Sequence, residues 1–486
     1  MKHFTDLRGY LEALDDIGDL VTIDREVDGD MEPAAITRRS YEIRSPAPLF
    51  TNIRGAREGF RILGAPAAMS SREDMPYARI ALSLGLQPDS TGQQIVDALA
   101  EAQTREPIPP VIVESGPCQE NVLLGDDATL DSFPIPIVHE KDGGRYANTW
   151  GALIVRTPDG EWTNWSIARV MKIDGKRMTG LVADGQHIGH VWNQWVEIGK
   201  PMPYALVQGA EPGIPYVSGF PLPDGAFDAG YLGALVGEPV ELVKAQTVDL
   251  LVPATAEVVI EGHVSIERDA LEGPFGEAAG YHPMDVTKQP TFHVEAITHR
   301  NDPIWPLVAE GRPPDEYHTV TCVGAASQCL ARLREVQLPV STVWSPMDSA
   351  GMWLVVTVPH DWRDMMAPDT TSDTLAQYIG QTLFWNKAGL YFPQIFLLDD
   401  DIDPTDLAEV TWAIATRIHP VSKRVQMDSV VLPLFVSHTD IEYKRGWGPR
   451  VVFDGLLPPI GERMAHTSFA ASYPVELQRH VVDNWV

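Results

Sequence analysis

Apolar residues at Leu7, Tyr10, Leu11, Leu14 and Ile17 recur three and four positions apart, the spacing of one helix face, so the chain opens with an amphipathic helix. The run "LVTID" at residues 20–24 then reads as a short strand. "MPYARIALSLGL" and "TGQQIVDALAEAQ" return to helical spacing, which makes residues 1–110 an α/β segment. Two proline clusters, "EPIPPVIVE" and "SFPIPIVHE", mark a connector or boundary. From residue 148 to about residue 300 the period shortens to that of strands. "NWSIARVMKI" and "KRMTGLV" flank Asp174-Gly175, a dipeptide suited to a two-residue hairpin turn. "PVELVKAQTVDLLVPATAEVVIEGHVSIE" continues in short apolar runs, so this stretch is expected to form a mainly antiparallel sheet or barrel. In residues 306–486, "DTLAQYIGQTLFWNKAGL" and "DLAEVTWAIATRI" read as helices around a strand, "QIFLLDDDI", which is α/β again. No internal repeat or low-complexity tract interrupts this order.

Length and composition narrow the class. A chain of 486 residues exceeds one ordinary core and implies two or three domains. A formal charge of −30 repels nucleic acid and acidic membranes. The three cysteines, Cys118, Cys322 and Cys329, lack CxxC spacing and read as reduced thiols, not as a disulfide framework. The opening residues carry charge throughout and contain no apolar signal core, and no run approaches the ~18 apolar residues of a membrane span. The expectation is a soluble cytoplasmic protein.

Four constellations carry candidate chemistry. In "RDALEGPFGEAAGYHP" (268–283), Pro274, Gly273 and Gly276 oppose helix and strand alike, so Glu272 and Glu277 flank a fixed turn. They form either an acid/base pair with separated pKa values or a solvated acidic turn. In "NWSIARV", Arg169 sits among apolar neighbours and needs either a carboxylate or an anionic ligand, unless its strand faces water. Asn164 and Arg169 differ by an odd number, so a regular strand would point them to opposite faces, and a shared site would need a bulge or bend between them. In "DGQHIGHVW", His187 and His190 would also diverge on a strand, leaving one of them at most as a ligand; each could equally be a hydrogen-bonded structural histidine. Asp228, in "GFPLPDGAFDAGYLGAL", reads by itself as a turn aspartate.

The order "NWSIAR", "GQHIG", "PLPDG…D", "EGPFGE" and "NKAGL" resembles the UbiD family of prenylated-FMN-dependent decarboxylases, over residues from about 120 to about 405. The resemblance implies an α+β, α/β multidomain protein. Its parts would be an N-terminal α/β segment (1–110), a split β-barrel flavin-binding domain (111–305) and an α/β dimerisation domain (306–486). It implies Arg169, Glu272 and Glu277 as the catalytic trio. Cofactor contacts would come from Asn164, Ser166, Ile167, Ala168, Arg169, Gln186, His187 and Lys387, the lysine on the phosphate. Mn²⁺ or Mg²⁺ would be held by Asn164, His187 and Asp228, the last a departure from the family's glutamate and one methylene shorter. The carbonyls of Trp165, Val217, Ser218 and Phe220 would hold K⁺.

By the same resemblance the reaction is a reversible decarboxylation through a covalent substrate–flavin adduct. Glu277 would be the proton donor, raised in pKa by an apolar pocket, and Glu272 would pair with Arg169. The implied partners are a second copy of the chain and a flavin prenyltransferase that supplies the cofactor. Ala278, Tyr317, Thr321 and Leu390 would line the substrate pocket. Ferulic-type members carry bulkier groups at Ala278 and Leu390, so a flat aromatic or heteroaromatic acid, even a bicyclic or tricyclic indole or phenazine type, would fit unless Phe275 or Trp353 fills the space. Two other readings stand beside this one. A two-carboxylate glycosidase leaves Arg169 and His187 without a role, and a non-catalytic flavin carrier or assembly subunit has no need of a proton donor.

Overall fold

The computed structural model describes residues 3–432, 435–458 and 467–485. The opening helix, Leu7–Asp16, buries Leu7, Tyr10, Leu11 and Leu14 as the spacing requires, and the Asp6 side chain caps it by accepting the Gly9 N–H. A four-stranded sheet follows in the order Leu20–Ile23, Ala47–Phe50, Arg61–Gly64, Ile304–Leu307. Its last strand comes from the far end of the central segment, so the N-terminal segment is woven onto that segment. Arg8 reinforces the join with two hydrogen bonds to the buried carboxylate of Glu257, at 2.8 and 2.9 Å. The helix Gly92–Ala102 carries a full capping box between Thr91 and Gln94.

The central unit is a nine-stranded antiparallel sheet. Its path runs Thr163–Ser166, Ala152–Arg156, Met202–Gln208, Val258–Val264, Thr291–His299, Arg177–Gly180, Val170–Lys172, Tyr146–Asn148, with Asn121–Leu124 also paired to Thr291–His299. Ser166 ends one edge strand and Val170 begins the strand next to the opposite edge, yet only three residues separate them. The sheet must therefore curl until its two ends meet, which leaves Ile167–Arg169 at the seam of an open half-barrel. Asn148 pins the seam: its amide donates to the carbonyls of Gly151 (3.1 Å) and Ala168 (2.8 Å). The hairpin at Asp174-Gly175 forms, but with four residues, 173–176, between its strands.

The last unit is a five-stranded mixed sheet in the order Thr342–Trp344, Trp353–Val358, Gln394–Asp399, Trp447–Asp454, Arg424–Val430. The helices Ser372–Leu383 and Leu407–Arg417 match the periodic runs, and the first stops before Lys387. A twenty-residue helix, Glu316–Glu335, capped by Asp315, packs on Gly92–Ala102 and on Thr342–Trp344. One continuous apolar core consequently runs from Leu99 through Trp165 and Val323 to Ile395.

Candidate active site

The seam places Arg169 where its side chain meets both glutamates. Its Nε and Nη2 donate to Oε1 and Oε2 of Glu272 at 2.8 and 3.0 Å, a bidentate pair, and its Nη1 hydrogen-bonds Glu277 Oε1. The Glu272 side chain is 0% exposed and also accepts the Tyr146 hydroxyl at 2.9 Å, whereas Glu277 is 31% exposed. The two acids thus differ in denticity and in exposure. Burial by itself would weaken the hold of Arg169 on its proton, but the Glu272 hydrogen bonds and the charges of both glutamates override it and raise its pKa.

The glutamates get their places from local chain chemistry. Glu272 is not in a turn but ends a short strand, Ala270–Glu272, paired with Thr287–Gln289. Gly273 then adopts φ 88°, a left-handed conformation open to glycine, and the chain reverses through Pro274 and Phe275. Phe275 packs against the Tyr146 ring at 4.3 Å and lies 5.4 Å under the Arg169 guanidinium.

The break at residues 167–169 also resolves the parity of Asn164 and Arg169. Thr163–Ser166 pairs with Ala152–Arg156, while Val170–Lys172 pairs with different strands. Alternation is interrupted between the two residues, as a shared site requires. Asn164 is fully buried; its Oδ1 lies 2.8 Å from His187 Nδ1 and its amide donates to Ser166 Oγ at 2.6 Å.

His187 and His190 correct an expectation. They stand on a helix, His187–Glu197, not on a strand, and three-residue spacing there places them on one side. Ile188, Val191, Trp192 and Trp195 carried the helical period that was read as a strand. Gln186 is the residue before the helix, and its backbone N–H bonds Ala183. Both histidines approach Asp224: His187 Nε2 at 2.8 Å and His190 Nδ1 at 3.5 Å. Lys387 joins them, donating to Asp224 Oδ1 (3.1 Å) and the Leu222 carbonyl (2.9 Å), with its ammonium also against His187 Nε2. Burial first, then the charge of Lys387, lowers His187 to about 4 and keeps the imidazole neutral, the form that ligates metals.

Asp228 begins a helix, Asp228–Val236, instead of lying in a loop, and its Oδ2 accepts the Trp165 N–H at 3.1 Å. It is 4% exposed, and burial pushes its pKa up to about 7. Among neighbouring carbonyls, Ser218 accepts the Ile167 N–H (3.2 Å) and Val217 accepts that of Phe220 (3.2 Å), each keeping a second lone pair. Amide oxygen, imidazole and carboxylates gathered beside the buried Asp228 form a donor set suited to a hard dication, and Lys387, whose charge also reaches Asp228, is compatible with a phosphate.

A family model described as the 3-octaprenyl-4-hydroxybenzoate carboxy-lyase Rift-related domain matches residues 111–313. The corresponding N-terminal and C-terminal domains match 11–99 and 318–455. The chain belongs to the UbiD family. It is 42% identical to the pyrrole-2-carboxylic acid decarboxylase of Pseudomonas aeruginosa, covering 99% of this chain and 97% of that protein. With ferulic acid decarboxylase 1 of Saccharomyces cerevisiae it shares 38% identity over 99% of this chain and 97% of that one. Its fold matches an evolved dimeric form of the UbiD-class enzyme HmfF from Pelotomaculum thermopropionicum, solved in complex with prFMN. The TM-score is 0.78 at 24% identity, covering 96% and 97% of the two chains.

In this UbiD-family chain the residues expected to line the substrate pocket lie on or against one helix, Glu316–Glu335. Tyr317 and Thr321 are one turn apart on Glu316–Glu335. His318 Nε2 reaches the Ala278 carbonyl at 2.9 Å, and the short turn Ala388–Tyr391, with Leu390, packs on the same helix. Sequence reading overlooked Asp224 and Tyr146. Asp224 stands inside the quoted "PLPDG", whereas nothing local marks Tyr146. The glycosidase reading fails on family, and it gives no role to the guanidinium of Arg169 that bridges both carboxylates.

Proposed function

We propose that this protein reversibly decarboxylates an aromatic or heteroaromatic carboxylic acid, with Glu277 as the proton donor. The observation that carries this reading is the single guanidinium of Arg169 held by a buried Glu272 and a half-exposed Glu277. A prenylated FMN, when bound, would supply the electron sink that an sp² carbon losing CO₂ requires. Asn164, Ser166, Ile167, Ala168, Gln186, His187 and Lys387 would hold that cofactor. Asn164, His187 and Asp228 would hold Mn²⁺ or Mg²⁺, and the carbonyls of Trp165, Val217, Ser218 and Phe220 would hold K⁺.

The division of labour follows from the geometry. Arg169, fixed by Glu272, presents positive charge to the substrate carboxylate. Glu277 hands its proton to the carbon that has lost CO₂, and it does so once its contact with Arg169 opens, because the acid form offers no charge for the guanidinium to hold. The relatives are named for pyrrole-2-carboxylic acid and ferulic acid, and the smaller side chains at Ala278 and Leu390 would admit a flat ring acid up to bicyclic or tricyclic size. A homodimer is supported by the exposed Trp385 and Trp447, whose rings pair at 5.3 Å on the C-terminal unit. A flavin prenyltransferase would provide the cofactor in the cytoplasm, and no described helix is long and apolar enough to cross a membrane.

The test is co-expression with a flavin prenyltransferase, followed by assay of cinnamic, benzoic, indole, pyrrole and phenazine acids. Glu277→Gln should abolish CO₂ release while the flavin absorbance of the purified protein stays at the wild-type level. Full turnover by that variant removes Glu277 from the mechanism, and activity confined to small acrylic acids removes the wide pocket.

A further inference from the structure

Behind the glutamate turn, three metal-ligating side chains converge that the proposed reaction does not use. His139 and Asp142 lie in "VHEKDGG", and His282 lies about 140 residues later, after Glu277. His139 Nδ1 is 3.1 and 3.2 Å from the two oxygens of Asp142, and His282 Nε2 is 3.1 Å from Asp142 Oδ1. One donor atom from each residue lies within 4.8 Å of the other two.

Hydrogen-bond partners behind the cluster orient two of its three donors, as such partners orient metal ligands. His139 Nε2 lies 2.8 Å from the Glu310 carbonyl, which can only accept, so Nε2 carries the hydrogen. The ring's Nδ1 then faces both oxygens of the Asp142 carboxylate, and that short contact needs a proton or a metal cation between nitrogen and oxygen. Asp142 is 0% exposed and is itself oriented by the backbone N–H groups of His139 (2.8 Å, to Oδ2) and Gly276 (3.1 Å, to Oδ1). His282 Nδ1 is buried with no partner among the described residues, so no protein group dictates which of its nitrogens carries the proton. The two imidazoles are 23% and 21% exposed, which leaves a path for an ion.

We propose that His139, Asp142 and His282 form a site for a divalent transition metal of the zinc, cobalt or nickel type, completed by water. Two imidazoles and one carboxylate favour such ions over Mg²⁺ or Ca²⁺. Tetrahedral ligation at about 2.0–2.1 Å places donors about 3.3–3.4 Å apart, close to the spacing observed about Asp142. The ion would clip the turn between the two glutamates. Gly276 N–H binds the same carboxylate, Gly143 N–H donates to the Pro274 carbonyl at 2.8 Å, and a Cβ at Gly276 would sit 2.7 Å from His139 ring atoms.

The experiment uses the full-length His187→Ala protein, in which the expected cofactor metal site is disabled, so its outcome does not depend on the flavin chemistry. Titration with Co²⁺ should show one saturable equivalent with the visible bands of tetrahedral cobalt, displaced by Zn²⁺. Adding His282→Gln, a change at a part-exposed ring, or Asp142→Asn should weaken that binding at least tenfold. Zn²⁺ should also slow hydrogen exchange of the 273–277 segment in the wild-type chain. No saturable cobalt in His187→Ala, or binding that both further variants leave intact, overturns the site and makes the cluster a proton-bridged contact only.

Discussion

Replacing Glu272 with glutamine keeps the side-chain shape and removes the charge that fixes Arg169. Three donors point at Glu272: Arg169 Nε and the Tyr146 hydroxyl at Oε1, and Arg169 Nη2 at Oε2. A glutamine oxygen in the Oε1 position retains two of them, but its NH₂ then faces Nη2, donor against donor, where Glu272 accepts at 3.0 Å. The lost charge-assisted hydrogen bond is worth about 1.5–3 kcal/mol. Breaking a buried pair by removing one partner costs about 3–5 kcal/mol. Glu277 still touches the guanidinium, so the low end, about 3 kcal/mol, applies. If that loss falls on the transition state, kcat drops about 100-fold, since about 1.4 kcal/mol is tenfold. Tyr146→Phe removes one hydrogen bond to the same carboxylate and should cost about tenfold. The assay is single-turnover CO₂ release, normalised to bound flavin. Glu272→Gln within twofold of wild type, or Tyr146→Phe more damaging than Glu272→Gln, refutes the reasoning.

Lys387→Met should lower flavin occupancy of the purified protein by more than tenfold, read from visible absorbance, because it removes the ammonium that contacts Asp224 and His187. Asp228→Asn should weaken Mn²⁺ binding, measured by electron paramagnetic resonance, more than Asp224→Asn does. Asp228 is buried and needs a cation, whereas Asp224 is 59% exposed. Glu211 is held up at about 8 by burial and then by the charge of Glu238, so between about pH 4.5 and pH 8 the folded protein binds a proton that the unfolded chain releases. That preference is fully present at low pH and lost as pH rises through 8. Glu211→Gln should therefore raise the melting midpoint at pH 9 and leave it unchanged near pH 4; equal gains at both would contradict the assignment.

How much of this was legible depended on whether a residue's meaning was local. The helices Leu7–Asp16 and Gly92–Ala102 were visible because helical periodicity is written over about a dozen residues. His187–Glu197 was misread because Asp184, Gly185 and Gln186 look like a turn between strands, although Ile188, Val191, Trp192 and Trp195 hold the helical interval. Glu272 and Glu277 declared themselves through the Gly-Pro-Phe-Gly core, yet the strand ending at Glu272 depends on its partner Thr287–Gln289, which no window around Glu272 contains. Tyr146 and Asp224 were missed for the same reason. Their partners are Glu272, 126 residues away, and Lys387, 163 residues away.

The odd interval between Asn164 and Arg169 explains why the site lies at a seam. On an unbroken strand the two side chains would point to opposite sides of the sheet, one toward the core and one toward water. A bulge would realign them but would leave the strand paired and the guanidinium boxed between neighbouring strands. A curled sheet whose ends meet without pairing offers a third solution. The three residues Ile167–Arg169 cross from one end of the sheet to the other, the alternation restarts at Val170, and Arg169 escapes the ladder to meet acids from a separate two-stranded hairpin. Asn148, which donates to Gly151 on one side and Ala168 on the other, holds that gap at fixed width. Its replacement by alanine should then loosen Asn164 and Arg169 together, lowering flavin occupancy and turnover in the same variant. A loss of one without the other would show that the seam does not couple them.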